Sequence, residues 1–202
     1  MEHNRILLRG SLLELPVFSH ENHGRKFYRF FLEVPRLSGA VDLLPVMAPL
    51  DLIEQVDLTG GSMLRAEGQI RSHNFTDDTG RHLQIFVHAA DLAAEEGPAA
   101  NAVHLTGSVC RLPTFRRTPL GRQICDMMLA VPRAFRRADY LPCILWGRTA
   151  ADAGCCHVGE SVTIEGRLQS RIYSKYTESG LEEHTAYEVS ALSAELPERL
   201  TP

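Results

Sequence analysis

The sequence lacks the features that mark most secreted, membrane-spanning and catalytic proteins. No apolar run approaches the ~20 residues of a membrane-spanning helix, and residues 1–10 alternate polar and apolar side chains, unlike a signal peptide. There is no Gly-x-Ser-x-Gly, no His-Glu-x-x-His, no glycine-rich phosphate loop and no group of carboxylates at metal-ligand spacing. We therefore expect a cytoplasmic protein without membrane contact, enzymatic activity or cofactor.

Cysteine use is equally uninformative about chemistry. The five cysteines are an odd number, contain no Cys-x-x-Cys and all lie in the second half, so a disulfide framework is not expected. Cys155, Cys156 and His157 are adjacent in sequence and miss the usual spacing of zinc ligands. His20 and His23 are interpreted as exposed loop histidines. The sequence thus predicts reduced thiols and no bound metal.

Charge is low overall but unevenly distributed. The net charge is −4; residues 1–98 hold 9 Lys and Arg against 14 Asp and Glu, whereas residues 99–202 hold 12 against 11. The basic residues of the second half are clustered at Arg111, Arg116, Arg117 and Arg122 and again at Arg133, Arg136 and Arg137. A local basic surface on an acidic protein is compatible with phosphate binding.

The two halves of the chain repeat each other at an offset of 97 residues. Gly10-Ser11 falls on Gly107-Ser108, and Val34-Pro35-Arg36 falls on Val131-Pro132-Arg133. After one residue of slippage the series continues to Phe75, which falls on Tyr173. A collinear series of identities indicates duplication, with domains at 1–96 and 101–202 and a flexible linker at 96–100.

Each half has the pattern of a small all-β domain. In the second half, alternation predicts strands at 102–112, 123–131, 140–146, 161–170 and 183–191, a loop at 113–121, and a short helix at 148–156. Gly107 within the first strand suggests a bulge or a bend. Five strands with a short helix after the third is the element order of the OB-fold, so the predicted fold is two tandem five-stranded OB-fold barrels.

Several stretches of the second half are distinctive, above all Glu165-Gly166-Arg167-Leu168-Gln169-Ser170-Arg171-Ile172-Tyr173, a strand with an internal glycine and a terminal aromatic ring. The others are 103–108, 112–113, 117–121, 129–131, 140–147 and 158–162. Through these stretches the second half resembles the bacterial single-stranded DNA-binding protein (SSB) family over nearly its whole length. The resemblance implies sequence-independent binding and protection of single-stranded DNA in replication, recombination or repair.

The resemblance also implies where DNA would bind. Single strands are held by aromatic rings that stack on bases and by a positively charged groove. The rings at the family's stacking positions are Phe135, Tyr140, Trp146 and Tyr173, and Phe75 is the first-half counterpart of Tyr173. The accompanying cations are Arg116, Arg117, Arg122, Arg133, Arg136, Arg137, Arg148, Arg167, Arg171 and Lys175. Trp146 is equally consistent with a core position.

The first half departs from this pattern. At the 97-residue offset, Ser38, Leu43 and Pro49 stand where the second half has Phe135, Tyr140 and Trp146. Arg25, Lys26 and Arg29 are interpreted as loop residues. These substitutions predict a first domain that is degenerate in its binding residues, with the second domain carrying most of the binding surface.

The resemblance further implies an assembly. Because family members commonly carry one OB-fold per chain and form homotetramers, a homodimer of this chain would present four barrels. The chain ends soon after its last predicted strand, so no acidic recruitment tail is expected. The alternative function is that of a protein-interaction factor, such as a primosome-type accessory protein with weak DNA affinity, which the acidic first half favours.

Overall fold

The computed structural model describes residues 3–77, 80–177 and 180–198 and is built almost entirely of strands. The first half contains β1 (Asn4–Leu12), β2 (Val17–Asn22), β3 (Arg25–Pro35), β4 (Val41–Pro49), α1 (Leu50–Ile53), β5 (Met63–Asp77) and β6 (Gly80–Ala94). The second half contains β7 (Ala100–Val109), β8 (Thr114–Arg117), β9 (Gln123–Arg133), a 3-10 turn (Ala134–Arg136), β10 (Arg137–Trp146), α2 (Gly147–Ala153), β11 (Ser161–Thr177) and β12 (Gly180–Glu195).

Five strands of each half close into a barrel. In the first half the order is β3-β4-β6-β5-β1, and β1 also pairs with β3 to complete the ring. The order β9-β10-β12-β11-β7, with β7 pairing back to β9, repeats this in the second half. The β4–β6 and β10–β12 pairs are parallel and the other pairs are antiparallel. This confirms the predicted pair of OB-fold barrels, to which β2 and β8 are added as short hairpin strands.

Strand alternation explains the barrel cores. Along β1, Ile6, Leu8 and Leu12 are fully buried, while Leu7, Arg9 and Ser11 are only partly buried. In β9, Met127, Leu129 and Val131 occupy the corresponding interior. Because successive side chains point to opposite faces of a strand, each strand supplies one row to the core and one row to the outer surface.

The two barrels are joined by an antiparallel pairing of β1 with β7. Six residue pairs connect them, from Asn4 opposite Leu105 to Arg9 opposite Ala100, and together the barrels form one twelve-stranded sheet. Two asparagines repeat one contact in the two halves: Asn4 pairs with the backbone of Ile70, and Asn101 pairs with the backbone of Leu168. The two duplicated halves are therefore related in the structure by a pseudo-twofold axis.

A reciprocal pair of buried carboxylates also connects the barrels. Asp42 of the first barrel accepts hydrogen bonds from the backbone N–H (2.7 Å) and the hydroxyl (3.0 Å) of Ser170 in the second. Asp139 of the second accepts a hydrogen bond from the backbone N–H of Ser72 in the first (2.8 Å). Arg36 pairs with Asp42. We refer to these two contacts as the Asp42 clasp and the Asp139 clasp.

The linker between the barrels is held to β1. Arg9 donates from Nε to the carbonyl oxygen of Pro98 (2.8 Å) and from Nη1 to the carboxylate of Glu95 (2.5 Å). These bonds restrain a stretch that the sequence predicts to be flexible.

Several predicted elements need correction. The predicted loop 113–121 contains β8, because Thr114–Arg117 forms a hairpin with β9. The predicted strand 102–112 ends at Val109, and α2 ends at Ala153, before the buried Cys156. The strands predicted at 161–170 and 183–191 extend into one long hairpin, so Tyr173 lies within β11 and not after it.

The glycines in the strands serve close backbone approach. A Cβ on Gly107 would lie 2.8 Å from the Ala130 carbonyl oxygen, where β7 closes on β9, and the pairing of β7 shows no register shift there. The bulge lies between Glu165 and Gly166, and a Cβ on Gly166 would meet the Ser190 carbonyl oxygen at 2.3 Å. Barrel closure, and not a bulge, therefore explains Gly107.

In the described ranges, none of the helices has the length and apolarity needed to cross a bilayer.

Candidate nucleic-acid interface

The four predicted stacking rings are all exposed on the second barrel. The exposed fractions are 94% for Phe135, 44% for Tyr140, 38% for Trp146 and 40% for Tyr173. Tyr140 and Trp146 point to the same side of β10, since they are six positions apart, while Leu141 and Leu145 fill the core. Burial of a residue this large and apolar is the usual outcome, so four exposed rings are consistent with a binding surface.

Trp146 is fixed by one hydrogen bond at the edge of its ring. Its Nε1 donates to the Ser190 hydroxyl oxygen at 3.0 Å, across the parallel β10–β12 pair. The bond sets the orientation of the indole while part of the ring remains accessible. A tryptophan held this way at a surface has one apolar face for contact and one satisfied polar atom.

The β11–β12 hairpin combines a ring with a cation. The Arg171 guanidinium lies 5.5 Å from the centre of the Tyr173 ring, and His184 stacks on Tyr173 at 5.6 Å. The first barrel repeats the stack of a histidine on the aromatic ring in its β5–β6 hairpin, where His82 stacks on Phe75 at 5.1 Å. The side chain of Lys175 lies outside the described residues.

Phe135 is held outward by an unusual backbone. It has φ 60° and ψ 36°, and the next residue, Arg136, has φ 54°. Non-glycine residues rarely occupy this left-handed region, and two in succession are rarer still. The strained turn between β9 and β10 presents an aromatic ring flanked by Arg136 and Arg137 to solvent.

Eight of the nine predicted arginines, all except Arg133, fall into three groups. Arg116 and Arg171 are paired with carboxylates on the outer face of the second barrel, Arg116 with Asp126 (2.6 Å) and Arg171 with Glu188 (3.7 Å). Arg167 has a buried Nε without a hydrogen-bond partner. Exposed arginines for which the described part of the chain shows no ion pair are Arg117, Arg122, Arg136, Arg137 and Arg148.

Two of the predicted arginines face the other barrel. Arg133 pairs with Asp139 at 3.3 Å, beside Arg71 of the first barrel, which pairs with the same carboxylate at 3.0 Å. Arg133 and Arg137 line a groove on the outer face of the first barrel. Sequence reasoning assigned both to the binding surface of the second domain.

The same groove holds residues that sequence reasoning did not single out. It is lined by Phe31 and Arg29 of β3 and by Phe86 and His88 of β6. Burial, together with the nearby Arg71 charge, lowers the pKa of His88 below its usual range. Arg25, Lys26 and Arg29, interpreted as loop residues, lie on β3. The sequence signal was present in Arg25-Lys26-Phe27-Tyr28-Arg29-Phe30-Phe31, where cations alternate with rings.

The thiols and histidines form no metal site in the described parts of the chain. No group of three or more His, Cys, Asp and Glu there could hold an ion. Burial raises the pKa of Cys125 to about 11, so this thiol stays protonated. Cys155 is exposed and Cys156 is buried. His20 lies on β2 and not in a loop, and it stacks on Phe27 at 5.0 Å.

Sequence comparison identifies the family. The profile of the Single-strand binding protein family matches residues 100–196. Single-stranded DNA-binding protein B of Bacillus subtilis (strain 168) is 36% identical over 80 residues, which make up 36% of this chain and 71% of the relative. The chain belongs to the single-strand binding protein family.

Other family members agree with this assignment. Single-stranded DNA-binding protein 2 of Streptococcus agalactiae serotype V (strain 2603 V/R) is 31% identical over 105 residues, covering 48% of this chain and 77% of the relative. The chain spans about half the length of some other members, such as the Oceanobacillus iheyensis protein (48%).

A solved structure supports the fold of both halves. The wild-type single-stranded DNA binding protein from Thermus aquaticus superimposes with a TM-score of 0.78 at 23% identity, covering 98% of this chain and 95% of the other. The likeness extends over nearly the whole chain, so it includes the first barrel, which lies outside the residues that the family profile matches.

Proposed function

We propose that this chain binds single-stranded DNA without sequence preference and protects it during replication, recombination or repair. The observation that carries the proposal is the presence of four exposed rings on the second barrel, within the segment that matches the family. Stacking is tolerant of sequence because every base has a flat π-face, and each stacked base contributes about 1–3 kcal/mol by alanine substitution. The members compared above are named for single-stranded DNA binding.

Within this proposal, the exposed rings stack on bases and the arginines pair with phosphates. Trp146 and Tyr140 form a platform on β10, and Tyr173 with Arg171 adds a second contact at the hairpin. Phe135 reaches out from its strained turn to hold a further base. Arg117, Arg122 and Arg148 have no carboxylate partner in the described residues and are available for phosphates.

The test uses the protein's own fluorophore, because Trp146 is the only tryptophan. We expect poly-dT to quench its fluorescence strongly, and the affinity to fall with added salt at a slope of about −0.7 per phosphate contact for a single strand. The Trp146→Phe variant should bind labelled dT with similar affinity, whereas Trp146→Ala should bind it about 5-fold or more weakly.

Two outcomes would contradict parts of the proposal. Absence of both quenching and binding to labelled dT would contradict the function as a whole. Binding without quenching would keep the function and remove Trp146 from the interface.

We also propose that each barrel is a separate domain, comprising residues 1–96 and 101–202, and that the protein is cytoplasmic.

We further propose that the chain forms a homodimer that presents four barrels. Two features support this assembly. The twelve-stranded sheet ends in the short edge strands β2 and β8, whose outer backbone groups a partner chain could pair. Large apolar side chains are exposed next to them, including Leu112, Leu120 and Phe18.

A further inference from the structure

We propose that Glu188 limits the affinity of the second barrel for single strands, because its carboxylate holds arginines that would otherwise pair with phosphates. The inference rests on the proposed function and adds to it a residue that sets how strongly the second barrel binds. The side chain of Glu188 is mostly covered, with 12% of it accessible. A carboxylate held in place on a binding surface opposes the approach of a polyanion.

Strand β12 places Glu188 between two of the exposed rings. Side chains two residues apart share one face of a strand, so Glu188 lies on the same face as Ser190, whose hydroxyl accepts the hydrogen bond from the Trp146 indole. The same row of side chains continues to His184, which stacks on Tyr173. The pairing with β11 is continuous from Ser190 to His184. A single strand of DNA that crosses from the Trp146 ring to the Tyr173 ring therefore passes the carboxylate.

The carboxylate of Glu188 is held by two residues of the neighbouring strand β11. Gln169 donates from Nε2 to Oε1 at 2.8 Å, and Nε of Arg171 lies 3.7 Å from Oε2. Each oxygen of the carboxylate thus has a donor or a cation beside it. Arg171, which also lies over the Tyr173 ring, is partly neutralised by this contact.

The charge of Glu188 also acts on two arginines from other parts of the chain. Arg36 reaches over from the first barrel; its hydrogen bond to Asp42 raises its pKa, and the charge of Glu188 raises it further. The pKa of Arg116 on β8 is raised by its hydrogen bond to Asp126 and also by the charge of Glu188. A phosphate that enters this face would therefore compete with Glu188 for the same cations.

The first barrel shows that the fold does not require this carboxylate. Strand register places Phe86, opposite Arg71, where the second barrel has Glu188, opposite Gln169. The β5–β6 and β11–β12 hairpins form the same ladder around these positions. Since one barrel closes with a neutral ring at this position, the acid is a property of the surface of the second barrel and not of its closure.

A purely structural role is the competing explanation, because Glu188 lies close to the Asp42 clasp. Gln169, its hydrogen-bond donor, precedes Ser170, which donates to Asp42. The two roles predict different effects when the charge of Glu188 is removed. Loss of a structural contact lowers the free energy of unfolding and leaves DNA binding unchanged or weaker. Removal of a competitor for arginines makes DNA binding tighter and more sensitive to salt.

The experiment uses the full chain and removes the charge in two ways. Glu188→Gln keeps an oxygen that can accept the hydrogen bond from Gln169, and Glu188→Phe copies the first barrel. Glu54→Gln makes the same charge change at an exposed residue after α1. Anisotropy measures the binding of fluorescein-labelled dT8 over a range of NaCl concentrations, and Trp146 fluorescence is followed with unlabelled dT8. Urea unfolding measures the stability of each variant.

We expect Glu188→Gln to bind dT8 roughly 3- to 10-fold more tightly than the wild type at low salt. In both Glu188 variants the slope of log K against log salt should become steeper by about 0.7 for each arginine released. Adding Arg171→Gln to Glu188→Gln should remove one such step, whereas Arg171→Gln alone should change the slope less. Glu54→Gln should match the wild type in affinity and in slope.

Other results would overturn the inference. An unchanged affinity and slope in both Glu188 variants, or weaker binding by both, would reject the role of Glu188 and leave the proposed function intact. An equal gain of affinity in Glu54→Gln would assign the effect to the net charge of the chain and also reject it. No binding of dT8 by the wild type or by any variant would reject the proposed function itself.

Discussion

The turn between β9 and β10 is kept in a costly conformation. Phe135 and Arg136 both have positive φ, and a left-handed backbone costs a non-glycine residue about 1–2 kcal/mol. Phe135 regains little of that by packing, because 94% of it is exposed. Strain of this kind is typically retained at binding sites, where the side chain is needed in that position.

Because of this strain, a substitution at Phe135 should affect the stability of the fold and the affinity for DNA in different ways. Asparagine adopts the left-handed region more readily than phenylalanine, so Phe135→Asn should leave the free energy of unfolding in urea unchanged or raise it by up to about 1 kcal/mol. The same variant should bind labelled poly-dT at least about 5-fold more weakly, because a stacking ring is lost. Phe135→Tyr, which keeps the ring, is the control. Equal affinity in Phe135→Asn would exclude this ring from the interface.

At the scale of the elements, the two clasps fix how the barrels lie against each other. Each joins the start of an outer strand in one barrel, β4 or β10, to the middle of a hairpin strand in the other, β11 or β5. Burial alone would raise the pKa of the Asp42 carboxyl, but hydrogen bonds from Arg36 and Ser170 hold it below its usual range. A charged Asp42 therefore stabilises the folded state.

The sign of this effect predicts an acid sensitivity. Because the pKa of Asp42 is lower in the folded than in the unfolded chain, its contribution is complete above about pH 4, the unfolded value. It is lost as the pH falls through the lower folded value. Asp42→Asn should therefore lower the free energy of unfolding at pH 7 by about 1–3 kcal/mol and reduce its decline between pH 5 and 2. Urea unfolding across this range measures both.

Asp51 provides the comparison for this acid prediction. It pairs with Arg25 on the surface, with both side chains about half exposed. Asp51→Asn should leave the acid decline nearly unchanged, because exposed ion pairs contribute little. An acid profile of Asp42→Asn that matches the wild type would show that the clasp does not contribute to acid stability.

The sequence predicts the strands better than it predicts the contacts between residues of different strands. Alternation located β9 and β10, because each buries one row of side chains in a barrel. It missed β8, whose four residues are all exposed and carry no periodic signal. The two clasps could not be predicted from the sequence either, because Asp42 and Ser170 are 128 residues apart and neither belongs to an apolar pattern.

The same limit applies to the candidate site. Tyr140, Trp146 and Tyr173, which the family resemblance singles out, are exposed, and their part in binding stays a prediction. The sequence did not reveal the groove of the first barrel, because the positions aligned with the rings of the second barrel carry no rings, apart from Phe75. Phe31 and Phe86 lie on the same face of the barrel at other positions, and Arg133 reaches that face only through the contact between barrels.

At the scale of the whole molecule, the proposed homodimer predicts a definite mass. The chain has a mass of 22.5 kDa, so light scattering during size exclusion should give about 45 kDa. The short edge strands β2 and β8 limit how many backbone bonds a partner can add at the ends of the sheet. Glu at exposed Leu112 or Leu120 should shift the mass toward 22.5 kDa if these side chains lie at the interface.

Leu192→Lys, at an exposed position of β12, serves as a control for nonspecific loss of solubility. A monomeric mass in the wild type at micromolar concentration would reject the homodimer.

The β1–β7 pairing has one more consequence, because it joins two barrels of the same chain. The contact is intramolecular, so its effective concentration is set by a short linker and does not decline on dilution. Barrels on one chain are also free to diverge, whereas those of a symmetric assembly of identical chains must stay alike. A strand that runs from one barrel to the other would therefore meet different surfaces at its 5′ and 3′ ends, and we expect the two orientations of the strand to differ in affinity.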